Sequence, residues 1–344
     1  MSQSPPQDPT AESRKADHIE LAFQSQVERA ALDPRFDYEP LLAPHPAPGS
    51  LPCFDFGGKQ MRAPLWVSSM TGGTEQALTI NHNLARACQE FGLGMGLGSC
   101  RPLLIGMDRY RDFNIRPITG PDVPLYANLG VAQIENLLDK GEEAAIQQMI
   151  SALDADGLII HVNPLQEAMQ PEGDVFRRSP LAVIEATLQA LPQVPIIVKE
   201  VGQGMGPRSL AKLLALPLLA IDTAAGGGTN FSKLELFRSD DMRREAYAGL
   251  TRVGHAASEM VSTLNEIVER MPADEVRAQN LIISGGVRSF LDGYHLTQTA
   301  RLPAIYGQAS ALLKVARGEY SILRTYIAGQ IRGLELAQAY LYPR

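Results

Sequence analysis

Eight short apolar runs recur along this chain at intervals long enough to hold a helix, and that spacing leaves few folds open. They are PLWVSSM at 64–70, GMGLGS at 94–99, VPLYANLG at 123–130 and GLIIHVN at 157–163, then PIIVKEV at 195–201, LLAIDTA at 218–224, NLIISGG at 280–286 and AIYGQ at 304–308. Each is nearly continuous in its apolar residues, the pattern of a strand buried on both faces. Segments of helical length lie between them, among them 74–90, 132–153 and 180–191. Strand and helix in alternation predict a parallel sheet covered by helices. A doubly wound open sheet would carry a G-x-G-x-x-G loop after its first strand, and none stands there. Eight strands therefore predict an α/β fold of the closed (β/α)8 type, a TIM barrel.

The barrel is expected over 63–344, preceded by an N-terminal helical and loop extension over 14–62 and a loose Ser/Pro/Gln-rich tail over 1–13. Ile19, Phe23 and Val27, spaced i, i+4, i+8, predict a helix in the extension. The stretch LLAPHPAPGSLP, with its four prolines, reads as a loop. With 344 residues and 45% hydrophobic content, the chain reads as one large globular unit. A net charge of −7 argues against nucleic acid as a partner, since phosphate backbones need a basic face. No apolar run is long enough to span a membrane, the N-terminus has no secretory pattern, and Cys53, Cys88 and Cys100 lie far apart. Together these point to a cytoplasmic protein.

In a (β/α)8 barrel, chemistry gathers where strands end and βα-loops begin. The ends here read Ser68-Ser69-Met70-Thr71-Gly72-Gly73, Gly98-Ser99-Cys100-Arg101, Asn128, His161-Val162-Asn163, Lys199-Glu200, Asp222-Thr223 with Gly226-Gly227-Gly228-Thr229, Ser284-Gly285-Gly286-Val287-Arg288, and Gly307-Gln308-Ala309. Nearly every strand delivers a polar side chain or a glycine pair to one face. The glycine groups let backbone N–H groups converge on an anion, and the loops after strands seven and eight are the usual phosphate grip of such barrels. A glycine pair can also simply turn the chain. Lys199 closes a buried strand, where an ammonium needs a purpose. It reads as a Schiff-base nucleophile, as a cation facing the pyrimidine edge of a flavin, or as the partner of Glu200 or another barrel carboxylate. Trp66 reads as core, His82 and Asn83 as helix surface or helix start, and Cys100 as a pocket wall or a reactive thiol.

The fourth run is the most telling. GLII opens directly into His161, Asn163, Gln166, Glu167 and Gln170, five hydrogen-bonding side chains within ten residues. In HVNPLQEAMQPEGD, in RKADH near the N-terminus, and in SSMTGG, KEVGQG, DTAAGGGTNF and SGGVR, taken in that family's order, the chain resembles the type 2 isopentenyl diphosphate isomerases, FMN-dependent barrels of isoprenoid biosynthesis.

The resemblance implies a site. Met70, Thr71, Gly72, Ser99, Asn128 and Lys199 would line the flavin ring. Thr229, Gly285, Gly286, Arg288 and the stretch Gly307-Gln308-Ala309 would hold the ribityl chain and phosphate. Arg14, Lys15, His18, Arg101 and His161 would meet a substrate diphosphate, with Asn163 and Gln166 bordering the alkene and Glu167 ligating Mg²⁺. His161, Asn163, Gln166 and Lys199 would thus surround the chemistry. Moving a double bond needs a proton added at one carbon and removed from another. In that family reduced FMN serves as the acid–base, and NADPH reduces it. The extension would help close the site, and a homo-oligomer, tetramer or larger, is expected. Cys100 stands where the family's second-strand motif carries an amide, the text around Gly307 departs from the family pattern, and 239–275 matches nothing clearly. The competing readings are a flavin-dependent 2-hydroxy acid oxidase or dehydrogenase, a Schiff-base aldolase and a non-catalytic flavin-binding protein. The first wants a histidine base after a late strand, and none stands there.

Overall fold

Eight parallel strands close on themselves in the computed structural model, which describes residues 11–69 and 75–344. They are β1 (Leu65–Val67), β2 (Gly94–Gly96), β3 (Leu125–Gly130), β4 (Gly157–His161), β5 (Ile196–Lys199), β6 (Ala220–Asp222), β7 (Asn280–Ser284) and β8 (Ala304–Gln308). Neighbours in sequence are neighbours in the sheet, and β8 pairs with β1 to shut the ring. The open-sheet alternative is excluded by that closure.

Apolar residues fill two compartments. One lies between the strands and the surrounding helices; the other is the barrel interior, where Trp66, Tyr126, Ile159, Ile197, Ile282 and Ile305 meet. The pattern GMG of β2 follows from this division. Met95 faces the helix side, while a Cβ on Gly94 would stand 2.4 Å from the Trp66 ring and one on Gly96 would stand 2.5 Å from Ile159. Only glycine leaves the indole its place inside.

The extension divides between two tasks. Residues Phe54–Phe56 and Lys59–Met61 form an antiparallel hairpin whose Phe56 and Met61 are fully buried in the interior cluster. Phe56 packs against Trp66 at 5.1 Å and Tyr126 at 5.9 Å between ring centroids. These partners sit early in their strands, so the hairpin plugs the end opposite the polar strand ends. Residues Phe36–Tyr38 pair antiparallel with Leu341–Pro343, tying the extension to the C-terminus. Arg35 then reaches Asp292 at 2.8 Å, and Asp292 accepts from the backbone N–H groups of Arg288 and Ser289. Among the described residues, no helix is long and apolar enough to cross a membrane.

Several sequence expectations need correction. The helix ends at Leu21, so Phe23 and Val27 lie beyond it, and Ile19, Phe23 and Val27 are all exposed. The segment 132–153 is two helices, Val131–Lys140 and Ala144–Ala152, because Gly141 at φ +69° ends the first in a left-handed cap. Asn83 is not helix surface. It is buried and donates to the carbonyls of Ala316 and Gly318, both at 3.0 Å. The unplaced 239–275 holds the helices Asp241–Tyr247 and Ala257–Arg270, joined through the short 3-10 turn Leu250–Arg252.

Candidate active site

Parallel register sets His161, Lys199 and Asp222 side by side at the C-terminal ends of β4, β5 and β6. In-register residues of adjacent strands share a face, so these three share one line. On one flank the carboxamide of Asn128 donates to the Leu97 carbonyl at 2.9 Å and leaves its oxygen 2.8 Å from His161 Nδ1. On the other, Ser284 Oγ donates to Asp222 Oδ1 at 2.5 Å.

Two cavities open over this row. The larger, about 410 Å³, runs from Ser68, Ser69 and Lys199 to the loops after β6, β7 and β8. Thr229, Gly285, Gly286, Arg288, Gln308 and Ala309 all line it, together as the strand ends suggested. The smaller, about 110 Å³, is lined by Ser99, Asn128, His161, Gln166 and Lys199. Ser69, Lys199, Val201 and Phe231 belong to both walls, so the occupants of the two spaces would touch.

The far end of the larger cavity suits an anion. Gly227, Gly285 and Gly286 hold φ of +102°, +86° and +73°, conformations that turn backbone amides where other residues seldom go. Arg288 and Lys314 supply positive charge there. Lys314 was missed in the sequence, where KVARG gave no sign that it looks inward.

Lys199 is buried, and its ammonium donates to the Glu200 backbone carbonyl at 2.9 Å. The Glu200 carboxylate is turned away, accepting from the N–H groups of Gly202, Gln203 and Gly204 at 2.6–2.8 Å. A Lys199–Glu200 ion pair is therefore overturned: the carboxylate shapes the loop after β5 instead. Burial holds His161 in its neutral form, with help from the positive Lys199, and its pKa is pushed down to about 3. With Nδ1–H directed at Asn128, the ring presents an Nε2 lone pair.

Beneath the smaller cavity runs a string of side chains. Asn163 Nδ2 donates to Glu167 Oε1 at 2.9 Å and to Gln166 Oε1 at 3.2 Å. Gln166 Nε2 faces Glu235 Oε1 at 3.4 Å, and Glu235 pairs with Arg238 at 2.7 Å. Glu235 is only 3% exposed and was not singled out from sequence. It sits on the helix Phe231–Arg238, which packs on the short helix Pro164–Met169 that carries Gln166 and Glu167. The second Glu167 oxygen accepts from the Asp174 N–H at 2.8 Å. Arg101 is exposed and ion-paired with Asp174 at 3.0 Å. Cys100 is fully buried, its thiol pushed up to about 12 by burial, and lines neither cavity; the reactive-thiol reading falls. Arg14, Lys15 and His18 lie on the exposed helix Ala11–Leu21 and line neither cavity. Met70, Thr71 and Gly72 lie outside the described residues.

Relatives share much of this sequence. An isopentenyl-diphosphate delta-isomerase of Rickettsia rickettsii is 34% identical over 318 residues, covering 90% of this chain and 87% of its own length. One from Synechococcus sp. is 37% identical over 287 residues, covering 81% and 78%. The chain belongs to the isopentenyl-diphosphate delta-isomerase family. Its closed barrel is the fold that the type 2 resemblance implies. No family model matches the sequence. Among solved structures, a mandelate oxidase mutant with the monooxide FMN adduct aligns at TM-score 0.56 and 14% identity, covering 97% of this chain and 99% of that one. A flavocytochrome b2 with sulfite bound aligns at TM-score 0.58 and 13% identity, covering 88% and 71%. At such identities they speak for the barrel fold alone. A hydroxy-acid oxidase would need its histidine after a late strand. Among the described residues, His161 after β4 is the only histidine on either cavity wall, while His295 packs edge-on against Phe36 at 5.6 Å.

Proposed function

We propose that this isomerase interconverts isopentenyl and dimethylallyl diphosphate, with FMN in the larger cavity, the substrate in the smaller and Mg²⁺ at Glu167. The observation that carries the reading is the shared wall of the two cavities at Lys199. Through it, a group bound beside the glycine loops reaches a molecule held by His161 and Gln166.

The residues fit FMN. Ser68 Oγ, Ser69 Oγ and Gln308 Oε1 are buried with no protein partner, which is uncommon unless a ligand completes them. Gly285, Gly286, Arg288 and Lys314 would take its phosphate, and Lys199 would stand beside its ring. When bound and reduced, FMN supplies an acid–base group beside the alkene.

The residues also fit Mg²⁺. Glu167 offers a buried carboxylate, and Asn163 Oδ1 is buried without a partner, a second hard oxygen beside it. One or two such ligands, with waters and substrate phosphates, are the usual complement for this ion.

The protein's own groups then divide the work. Neutral His161 accepts a hydrogen bond at Nε2 and borders the substrate without adding charge. Gln166, held between Asn163 and Glu235, orients the alkene and links it to the buried Glu235 carboxylate. Lys199 holds positive charge beside the flavin. Arg101 is available to the diphosphate on release from Asp174. The N-terminal Arg14, Lys15 and His18 complete the reading as diphosphate ligands on closure of the extension. NADPH serves as reductant, and the assembly is a cytoplasmic homo-oligomer.

The test is anaerobic turnover of isopentenyl diphosphate with FMN, NADPH and Mg²⁺ in D2O, followed by proton NMR. Deuterium-labelled dimethylallyl diphosphate, formed only with reduced flavin, supports the reading. No product with a reduced, bound flavin overturns it.

A further inference from the structure

The loop after β7 ends in a clamp drawn from distant parts of the chain. Gly285, Gly286, Val287 and Arg288 line the larger cavity, and the helix Phe290–Thr299 starts just behind them. Asp292 in its first turn reaches back to the loop. Its Oδ2 accepts from the Arg288 N–H at 3.0 Å and the Ser289 N–H at 2.9 Å, while Ser289 Oγ accepts from the Asp292 N–H at 3.3 Å. Its Oδ1 accepts from Arg35 Nη1 at 2.8 Å, and Arg35 Nε and Nη2 donate to Asp33 at 2.9 and 2.6 Å. The arginine is itself pinned. Its carbonyl accepts from the Arg344 N–H at 3.0 Å, and the next residue, Phe36, is buried against Tyr294 and His295 of the same helix. Neither Arg35 nor Asp292 lines either cavity over the strand ends.

We propose that Arg35 is a positioning residue for the phosphate end of the larger cavity: through Asp292 it steadies the Arg288–Ser289 backbone and offsets a carboxylate that would otherwise repel a phosphate. This rests on the reading that FMN occupies that cavity with its phosphate at Gly285, Gly286 and Arg288. The Asp292 carboxylate fixes the turn, yet it is an anion beside a place meant for another anion. The guanidinium removes that conflict. One of its nitrogens meets Asp292 while the other two are spent on Asp33, which sets the direction of the fork. Burial raises the Asp292 carboxyl, but the hydrogen bonds from Arg35, Ser289 and Arg288 outweigh it and hold the group below its ordinary value. The N-terminal extension thus contributes to holding the flavin as well as to plugging the barrel.

The experiment titrates FMN and riboflavin into the flavin-free full-length chain and follows the quenching of flavin fluorescence. Riboflavin shares the ring and ribityl chain and lacks the phosphate, so the ratio of the two affinities reads the phosphate end alone. Arg35→Met is expected to weaken FMN about fivefold and to leave riboflavin within about twofold of wild type. Arg35→Lys, which keeps a charge opposite Asp292, should recover most of that loss. In the Asp292→Asn background, Arg35→Met should change the ratio by less than about twofold, because an effect carried through a partner vanishes with it. Arg35→Gln serves with the same expectation if the Met variant does not fold. An unchanged ratio in the folded Arg35 variants, an equal loss of FMN and riboflavin, or a loss that persists beside Asp292→Asn overturns the proposal. A wild type that binds no FMN, or binds riboflavin as tightly, overturns the reading beneath it instead.

Discussion

The Nδ1 of His161 lies 2.8 Å from the side-chain oxygen of Asn128, whose own amide nitrogen is already bonded to the Leu97 carbonyl. That arrangement fixes one tautomer, with the proton on Nδ1 and a lone pair at Nε2. Burial, and secondarily Lys199, push the ring's pKa down to about 3 from its ordinary 6.5. Between those values the unfolded chain takes up a proton at this ring and the folded chain does not. Stability therefore falls as pH drops from about 6.5 toward 3, with this group contributing up to about 1.4 kcal/mol per pH unit. We expect His161→Gln to flatten that acid limb in denaturant titrations, and ring ¹⁵N shifts to report the Nδ1–H tautomer at pH 5. A doubly protonated ring at pH 5 in the free protein would contradict the assignment.

Glu167→Gln tests the metal end of the site. The carboxylate receives Asn163 Nδ2 on one oxygen and the Asp174 N–H on the other. Glutamine sets an N–H against one of these donors and removes the charge a hard cation needs. Mg²⁺-dependent turnover should drop on the order of a hundredfold or more, while FMN affinity stays within about twofold. Turnover with unaltered Mg²⁺ dependence would remove Glu167 from the role.

The barrel and its polar mouth were legible because strand burial and strand ends leave marks within a few residues. The run 304–308 was read at its true bounds, and the others ran long where a polar end such as Glu200 leaves the ladder to shape a loop. What escaped depended on contacts across the fold. Glu235 sits in FSKLELF, an ordinary helical segment, and is a site residue only because that helix packs on the one carrying Gln166. Lys314 likewise faces inward only because its helix begins at the end of β8. Asn83 read as surface because its two carbonyl partners lie more than 200 residues downstream.

Gly285→Ala should unsettle the phosphate end more than any loop change of similar size. The residue holds φ +86°, and an added Cβ would stand 2.1 Å from the Ala225 carbonyl oxygen and 2.2 Å from its nitrogen. Both are backbone atoms, so the β6 and β7 loops would have to separate. We expect a loss of roughly 1–3 kcal/mol or more, with weaker FMN binding. Gly318→Ala, where nothing stands within 4 Å, is the control and should change stability by no more than about 0.5 kcal/mol. Equal melting temperatures for the two variants would show that the loops yield.

Phe56→Ala separates stability from chemistry. The ring is fully buried at the plugged end, between Trp66 and Tyr126, and touches neither cavity. Removing it leaves a void lined by two aromatic rings and the interior isoleucines. Barrel strands held on both sides cannot collapse to fill such a space. The expected cost is about 3–5 kcal/mol in denaturant unfolding. Because the barrel core lies between the plug and the strand ends, the FMN affinity of the folded fraction should stay within about twofold of wild type. A large affinity loss at unchanged stability would mean that the plug communicates with the mouth through the Trp66 strand, whose C-terminal neighbours are Ser68 and Ser69.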